Sequence, residues 1–178
     1  MRIISGTHKG RRIIAPKKLP VRPTTDRAKE GLFNILQHRM DFSTLRVLDL
    51  FSGTGNISYE FASRGVPQIT AVDENRACVH FIQKTAEQLA FPIQTVNSEV
   101  MRYMDRKLAS IDLIFADPPY DWTLEQYTEL LDKINTHRLP ENEIQVILEH
   151  SEQLRLEAHP QFDFKRNYGS SVFSFFEI

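Results

Sequence analysis

Val47-Leu48-Asp49-Leu50-Phe51-Ser52-Gly53-Thr54-Gly55-Asn56 is the stretch that sets the architecture of this chain. Its apolar run suits a fully buried parallel strand, its small residues break the strand into a turn, and Ile57, Phe61 and Ala62 continue at helical spacing. Gly53 and Gly55 reach backbone angles closed to other residues and let a ligand approach the main chain, while the helix start offers unpaired N–H groups. The turn departs from the phosphate-binding form GxGxxG, because Ser58 stands at the third glycine position. Asp49, inside the strand, would also sit badly beside a diphosphate. A carboxylate there suits a cation, such as the amino group of a methionine moiety.

The next strand, Gln68 to Val72, ends in Asp73, twenty residues after Gly53, with Glu74 beside it. An acid at that place accepts ribose hydroxyls. Two acids and a glycine turn therefore imply a nucleoside carrying no phosphate. A further apolar strand, Ile111 to Ala116, leads into Asp117-Pro118-Pro119-Tyr120. Consecutive prolines have no N–H donors and a fixed φ, so this backbone presents carbonyls only. Asp117 adds a carboxylate acceptor and Tyr120 a flat face. Such a corner fits a planar exocyclic amine, whose delocalised lone pair is a poor nucleophile until its two N–H bonds are held and the nitrogen pyramidalises. Asp117 and the Pro118 carbonyl are the groups to hold them, by proximity and electrostatics without a covalent intermediate.

The 178 residues fit one domain with a small appendage. No apolar run reaches membrane-spanning length, and the basic N-terminus lacks the long apolar stretch of a secretory signal, so a cytoplasmic protein without membrane contact is expected. A single cysteine, Cys78, forbids an internal disulfide, and the six histidines lack ligand spacing; no metal is expected. The net charge of −1 hides an asymmetry. Residues 1–46 carry eleven Lys and Arg against three acids, a surplus of eight, and the remainder is acidic by nine. A basic arm on an acidic body points to nucleic-acid contact at the N-terminal end.

In chain order, Arg2–Gly6 and Gly10–Ile14 read as a hairpin whose Lys9, Arg11 and Arg12 suit phosphate contacts, extended by Lys17 and Lys18. The expected organisation is an arm over residues 1–22 and a catalytic domain over 23–178. Thr24 or Thr25 caps a helix with Ala28, Leu32, Ile35 and Leu36 on one face. Gly65 ends the glycine-turn helix, and Asn75 starts another whose buried face includes Cys78, read as core. A short strand over 92–96 leads to Asn97-Ser98-Glu99, where Ser98 reads as a helix cap. Val100, Tyr103, Met104 and Leu108 pack the helix that follows. Tyr127 shares a stripe with Leu124, Leu131 and Ile134, and Trp122 either walls the pocket or covers the sheet's end. Gln145 to Leu148 is a strand, with Glu149 and His150 at its end. Phe162–Tyr168 and Val172–Glu177 form a terminal hairpin around Gly169-Ser170.

The glycine turn, Asp73 and the Asp-Pro-Pro-Tyr motif resemble class I S-adenosylmethionine-dependent methyltransferases that act on exocyclic amines. Arg22-Pro23-Thr24-Thr25-Asp26-Arg27-Ala28-Lys29-Glu30, with Ser5-Gly6 and Lys9-Gly10-Arg11-Arg12 before it, resembles the RsmD family of 16S ribosomal RNA guanine-N2 methyltransferases over essentially the whole chain. The resemblance implies a Rossmann-like α/β fold with a seven-stranded sheet, helices on both faces and an antiparallel last strand. It implies that Asp49 and Phe51, Ser52, Gly53, Thr54, Gly55 and Asn56 hold the methionine end of S-adenosylmethionine, and Asp73 and Glu74 the ribose. In the wider class, the loop of Asn97, Ser98 and Glu99 closes on the adenine; for Glu99, a place in a helix's first turn is the competing reading. Asp117, Pro118, Pro119 and Tyr120 take the catalytic corner, with Tyr120 stacking on an extruded base. Arg22, Thr24, Thr25 and Arg27 belong to the RNA-facing rim as well as to the cap. The implied partner is 16S rRNA in an assembling small subunit, bound by a monomer. An N6-adenine or N4-cytosine methyltransferase shares the motif. A cofactor-binding protein without catalysis and a nicotinamide oxidoreductase are further alternatives, the last opposed by the missing GxGxxG.

Overall fold

The computed structural model describes residues 1–16, 19, 24–106, 108 and 110–178. Its elements run α1 (Asp26–Arg39), β1 (Arg46–Leu50), α2 (Asn56–Ser63), β2 (Gln68–Asp73), α3 (Arg76–Leu89), β3 (Ile93–Asn97), α4 (Val100–Tyr103), β4 (Leu113–Ala116), α5 (Leu124–His137), β5 (Gln145–Ser151), β6 (Phe162–Tyr168) and β7 (Ser171–Glu177). They build one seven-stranded sheet in the order β3-β2-β1-β4-β5-β7-β6. The first five strands are parallel, and β7 lies antiparallel beside β5. Strand order reverses at β1, which has β2 on one side and β4 on the other. That is the switch point where open α/β sheets leave a crevice beyond the strand ends.

Alternate residues of each strand face opposite layers, and both layers are covered, so the strands read as near-continuous apolar runs. Leu48, Leu50, Ile114, Ala116, Val146 and Leu148 pack against Val100, Tyr103, Tyr127, Leu130, Leu131 and Ile134 of α4 and α5. Val47, Leu113, Phe115, Ile147, Phe173 and Phe175 pack against Ala28, Leu32, Phe33 and Leu36 of α1 and Ile57, Phe61 and Ala62 of α2. α2 ends as the sequence predicts. Gly65 takes φ 92°, its N–H donates to Ala62 O at 3.1 Å, and the Val66 N–H donates to Phe61 O at 3.2 Å, the paired bonds of a Schellman motif.

The predicted N-terminal hairpin is present in a thin form, with Arg2 and Arg12 joined by an isolated antiparallel bridge. Its Ile3 and Ile13 are buried against Tyr59, Ala71, Ile82 and Leu89. Polar bonds fasten it further. Glu60, fully buried on α2, accepts from Ile4 N at 2.9 Å, Ser5 N at 3.1 Å, Arg64 Nε at 3.0 Å and Lys29 Nζ at 3.4 Å, while Lys29 Nζ also donates to Arg2 O at 2.6 Å. Burial pulls the Lys29 pKa below its ordinary value against the opposing pull of Glu60. The expected boundary at residue 22, with Lys17, Lys18 and Arg22, lies outside the described residues.

Three local expectations are corrected. Glu99, not Ser98, caps α4, accepting from Met101 N at 2.7 Å and Arg102 N at 2.8 Å; the longer side chain reaches both orphan amides. α4 is a single turn, although Val100, Tyr103, Met104 and Leu108 are all buried. Leu124 is 44% exposed at the head of α5, and the buried stripe is Tyr127, Leu130, Leu131 and Ile134. Among the described residues no helix is long and apolar enough to cross a membrane.

Candidate active site

The C-terminal ends of β2, β1, β4 and β5 carry four acids in a row. Leu50 of β1 is in register with Val72 of β2 and Ala116 of β4, and Ala116 with Leu148 of β5. The residues after Val72, Ala116 and Leu148 are Asp73, Asp117 and Glu149, and Asp49 lies within β1. Neighbouring strands are about 4.8 Å apart, so these carboxylates crowd one rim of the sheet.

The turn after β1 is shaped by backbone that only small or strained residues allow. Gly53 has φ 52° and Gly55 φ 81°, and Phe51 between the strand and the turn is also left-handed at φ 56°. A Cβ on Gly55 would meet Tyr59 at 2.8 Å and Ile82 at 2.9 Å, so packing as well as dihedral demands glycine. Asp73 braces the turn from the next strand. Its Oδ2 accepts from Gly53 N at 2.8 Å and its Oδ1 from Asn75 N at 2.8 Å.

Asp49 is 1% exposed, and its Oδ2 accepts from both Ser58 N at 3.1 Å and Ser58 Oγ at 2.5 Å. Ser58 thus does more than replace a glycine: it anchors the buried acid. Burial raises the Asp49 carboxyl to about 7 despite the Ser58 bonds, and the nearby Asp73 adds to the rise. Burial likewise pushes Asp117 well above the usual carboxylate range, reinforced by Glu149 and then by Asp49. Acids shifted in this way and gathered at one cleft are candidates for a functional site.

A cavity of about 370 Å³ opens between the glycine turn and the Asp117 corner. Of the residues that the sequence singles out, Asp49, Phe51, Ser52, Gly53, Thr54, Asn56, Asp73, Glu74, Glu99, Asp117, Pro118, Pro119 and Tyr120 line it. Gly55, Asn97 and Ser98 do not. Gly55 donates to Ser52 O at 2.7 Å beneath the turn, and Asn97 Nδ2 donates to Asp73 O at 3.1 Å and Glu74 O at 2.8 Å, clamping the ends of β2 and β3. Glu99 both caps α4 and lines the cavity. Tyr120 stands 64% exposed at the mouth. Trp122 lines the cavity too, edge-on to Phe51 at 4.9 Å and to Tyr127 at 5.6 Å.

Asn56 supplies a test of what this cavity holds. Its Nδ2 donates to Thr24 O at 2.9 Å, but its buried Oδ1 has no partner. A buried acceptor left unmade costs about 1–3 kcal/mol, so a donor-bearing ligand fits there. With the Asp49 carboxylate, the turn amides and Asp73, the donor set suits an amino-acid ammonium joined to a ribose.

Other candidates fall outside this rim. Lys9, Arg11 and Arg12 are exposed on the N-terminal hairpin, Thr25 caps α1 by accepting from Ala28 N at 3.2 Å, and Arg27 lies beside it. His150 is buried and bonded to Ser151 O at 2.8 Å and Ser174 Oγ at 2.7 Å, a packing role. Cys78, by contrast, borders the cavity, where burial pushes its thiol up to about 11 and makes it a poor nucleophile. Two residues sit deeper in this region than a reading of the sequence assigns them. Thr24, which reads there only as cap or rim, lines the cavity, and its Oγ1 donates to Glu149 Oε2 at 2.8 Å. Glu149, which the sequence puts near the active edge without a role, comes close to Asp117 because β5 pairs with β4. Among the described residues no group of three or more His, Cys, Asp or Glu could hold a metal ion.

Residues 1–177 match the family model described as conserved hypothetical protein 95. The chain is 30% identical over 161 residues to a putative rRNA methyltransferase, YlbH, of Bacillus subtilis, covering 88% of this chain and 85% of that protein. It is 34% identical over 134 residues to ribosomal RNA small subunit methyltransferase D of Escherichia coli K12, covering 74% and 67%. Among solved structures, the putative methyltransferase yhhF of Escherichia coli superposes with TM-score 0.82 at 26% identity, covering 99% of this chain and 97% of that one.

Proposed function

This chain belongs to the family described as conserved hypothetical protein 95, the RsmD family of S-adenosylmethionine-dependent methyltransferases, and on that footing we propose that it methylates the exocyclic N2 amine of a guanine in 16S ribosomal RNA. The observation that carries this reading is the placing of Asp117 and Pro118 across one cavity from the Gly53 turn. Acceptors for an amine and a cradle for a cationic nucleoside meet there.

Bound S-adenosylmethionine supplies a methyl group on a positively charged sulfur. Asp49 and Asn56 Oδ1 receive the ammonium of its methionine end, Asp73 and Glu74 the ribose, and Glu99 the adenine. Asp117 and the Pro118 carbonyl accept the two amine hydrogens, which turns the nitrogen lone pair toward the methyl carbon. Tyr120, exposed at the mouth, stacks on the extruded base, and Trp122 and Phe51 keep water from the gap. Transfer would exchange the carbon–sulfur bond for a carbon–nitrogen bond, and the surplus proton of the alkylated amine would pass to water at the open mouth beside Tyr120. Lys9, Arg11, Arg12, Arg22, Thr25 and Arg27 take RNA phosphates along the N-terminal side, supplying affinity and not base identity. The enzyme acts as a cytoplasmic monomer, without a metal, on rRNA within an assembling small subunit.

Mass mapping of 16S rRNA from cells lacking the protein tests this reading. One N2-methylguanosine should vanish and return on complementation. An unchanged guanine pattern, or loss of an N6-methyladenosine instead, contradicts it.

A further inference from the structure

The start of α1 and the turn between β6 and β7 line a recess of about 190 Å³, to which they bring Thr25, Arg27, Tyr168, Gly169, Ser170 and Ser171. Tyr120 is a lining residue of this recess as well as of the cofactor cavity. We propose that the recess takes the RNA nucleotide that flanks the methylated one, with its phosphate on Arg27 and its base on Tyr168. The proposal rests on the methyl-transfer reading above, and it extends the RNA-facing surface from the N-terminal side to the C-terminal hairpin.

The donors of the lining suit a phosphodiester. Arg27 is exposed, and it has no carboxylate partner among the described residues. A guanidinium in the first turn of a helix faces the positive end of the dipole, so the stability of α1 gives no reason for it. Thr25 accepts from Ala28 N at 3.2 Å through its hydroxyl oxygen, which leaves the O–H free to donate outward. Ser170 is exposed nearby, in a turn that Gly169 opens at φ 66°. Guanidinium and hydroxyl groups are the donors that phosphate oxygens take. The acid among the lining residues is Glu149, which is 4% exposed and receives Thr24 Oγ1 at 2.8 Å. A phosphate therefore belongs at the exposed Arg27 side, away from that buried charge.

Tyr168 is placed by a glycine. A Cβ on Gly31, inside α1, would lie 2.2 Å from Tyr168 Cε1 and Cζ and 2.4 Å from its hydroxyl, so the ring occupies the space that a side chain there would fill. Glycine is a poor residue for a helix interior, and here it makes room for the ring. Phe173 holds the same ring at 5.7 Å in a tilted contact. Tyr168 is half-buried and Tyr120 exposed, so one recess combines two aromatic rings with a cation. Single strands are held by that combination, with charge on the backbone and rings under the bases. Extrusion of a target base leaves unstacked neighbours of the kind that such rings receive.

Equilibrium binding of small ribosomal subunits, from cells lacking the protein, to the full chain saturated with S-adenosylhomocysteine tests both contacts without turnover. Arg27→Gln should lower the slope of log affinity against log salt by about 0.7, the mark of one single-strand phosphate no longer neutralised. Tyr168→Ala should weaken binding roughly fivefold or more at every salt concentration with the slope unchanged, and Tyr168→Phe should keep the unaltered affinity. Gly31→Ala should behave as Tyr168→Ala does, because the clash falls on the end of a side chain and the ring gives way before the helix. Affinity for S-adenosylhomocysteine should stay unchanged in all four variants and report an intact fold. An unchanged slope in Arg27→Gln overturns the phosphate contact, and unchanged affinity in Tyr168→Ala and Gly31→Ala overturns the base contact. Subunits that do not bind the unaltered chain overturn the whole inference. The methyl-transfer reading fails separately: variants that behave as described, beside an unaltered enzyme that methylates no guanine, leave the recess standing and remove the guanine assignment.

Discussion

Asp73 Oδ2 accepts a hydrogen bond from the Gly53 amide at 2.8 Å, so the acid that ends β2 sets the shape of the turn that follows β1. Its other oxygen holds Asn75 N at 2.8 Å, at the start of α3. One carboxylate therefore joins two strands, a turn and a helix before any ligand arrives. Asp73→Asn has a single oxygen and cannot keep both bonds. Calorimetric titration with S-adenosylmethionine should show affinity reduced by about tenfold or more, from a slackened turn and a missing ribose acceptor. Unchanged affinity would detach Asp73 from the cofactor.

Asp49 links cofactor binding to pH. Burial raises its carboxyl to about 7, so below that value the free protein holds it neutral. Pairing with an ammonium requires the ionised form. Affinity for S-adenosylmethionine should therefore climb with pH, by up to about tenfold per unit below 7, and level off above it. The sign for stability is opposite. A carboxyl raised from 3.8 to about 7 binds its proton more tightly when folded, so its contribution is complete below about 4 and lost as pH rises through about 7. Asp49→Asn should flatten both curves, and a pH-independent affinity in the unaltered protein would remove Asp49 from the ammonium site.

Glu60 is expected to be the pin of the N-terminal segment. It is fully buried and receives two backbone amides from Ile4 and Ser5 as well as Lys29 and Arg64. Removing it strands the buried Lys29, and breaking a buried pair from one side costs about 3–5 kcal/mol. Urea unfolding of Glu60→Ala should show that loss, together with faster proteolysis before Ile13. A loss below about 1 kcal/mol would mean that the network is no more than a surface pair in effect.

The hairpin cations should govern how binding responds to salt. Lys9, Arg11 and Arg12 are all exposed. Replacing them with neutral residues should weaken RNA binding and reduce the slope of log affinity against log salt by about 0.7–0.9 for each phosphate no longer neutralised. An unchanged slope in filter-binding assays would return these side chains to solvation.

What could be read in advance follows the range of the interactions involved. The strand and turn around Gly53, the Gly65 cap, the α3 stripe and the β6–β7 hairpin rest on neighbours within a few residues, and periodicity exposes them. The Ser58 anchor of Asp49 spans nine residues and reads in sequence only as a missing glycine. Glu149 lies 125 residues from Thr24 and reads in sequence as the end of an apolar strand near the active edge, with no partner legible for it. Its meaning depends on sheet order, which no local pattern carries. The Ser98 and Leu124 expectations failed for a smaller reason: several residues near a helix start satisfy the same cap or stripe, and tertiary packing chooses among them.

Asp117 carries the central claim. Label transfer from methyl-tritiated S-adenosylmethionine to small subunits from cells lacking the protein, followed by nucleoside chromatography, measures it directly, with cofactor affinity determined in parallel. The unaltered enzyme should place the label in N2-methylguanosine, and Asp117→Ala should abolish transfer while binding cofactor within a few-fold of normal. Label in N6-methyladenosine, or transfer that survives Asp117→Ala, would contradict the assignment of this corner as the seat of amine methylation.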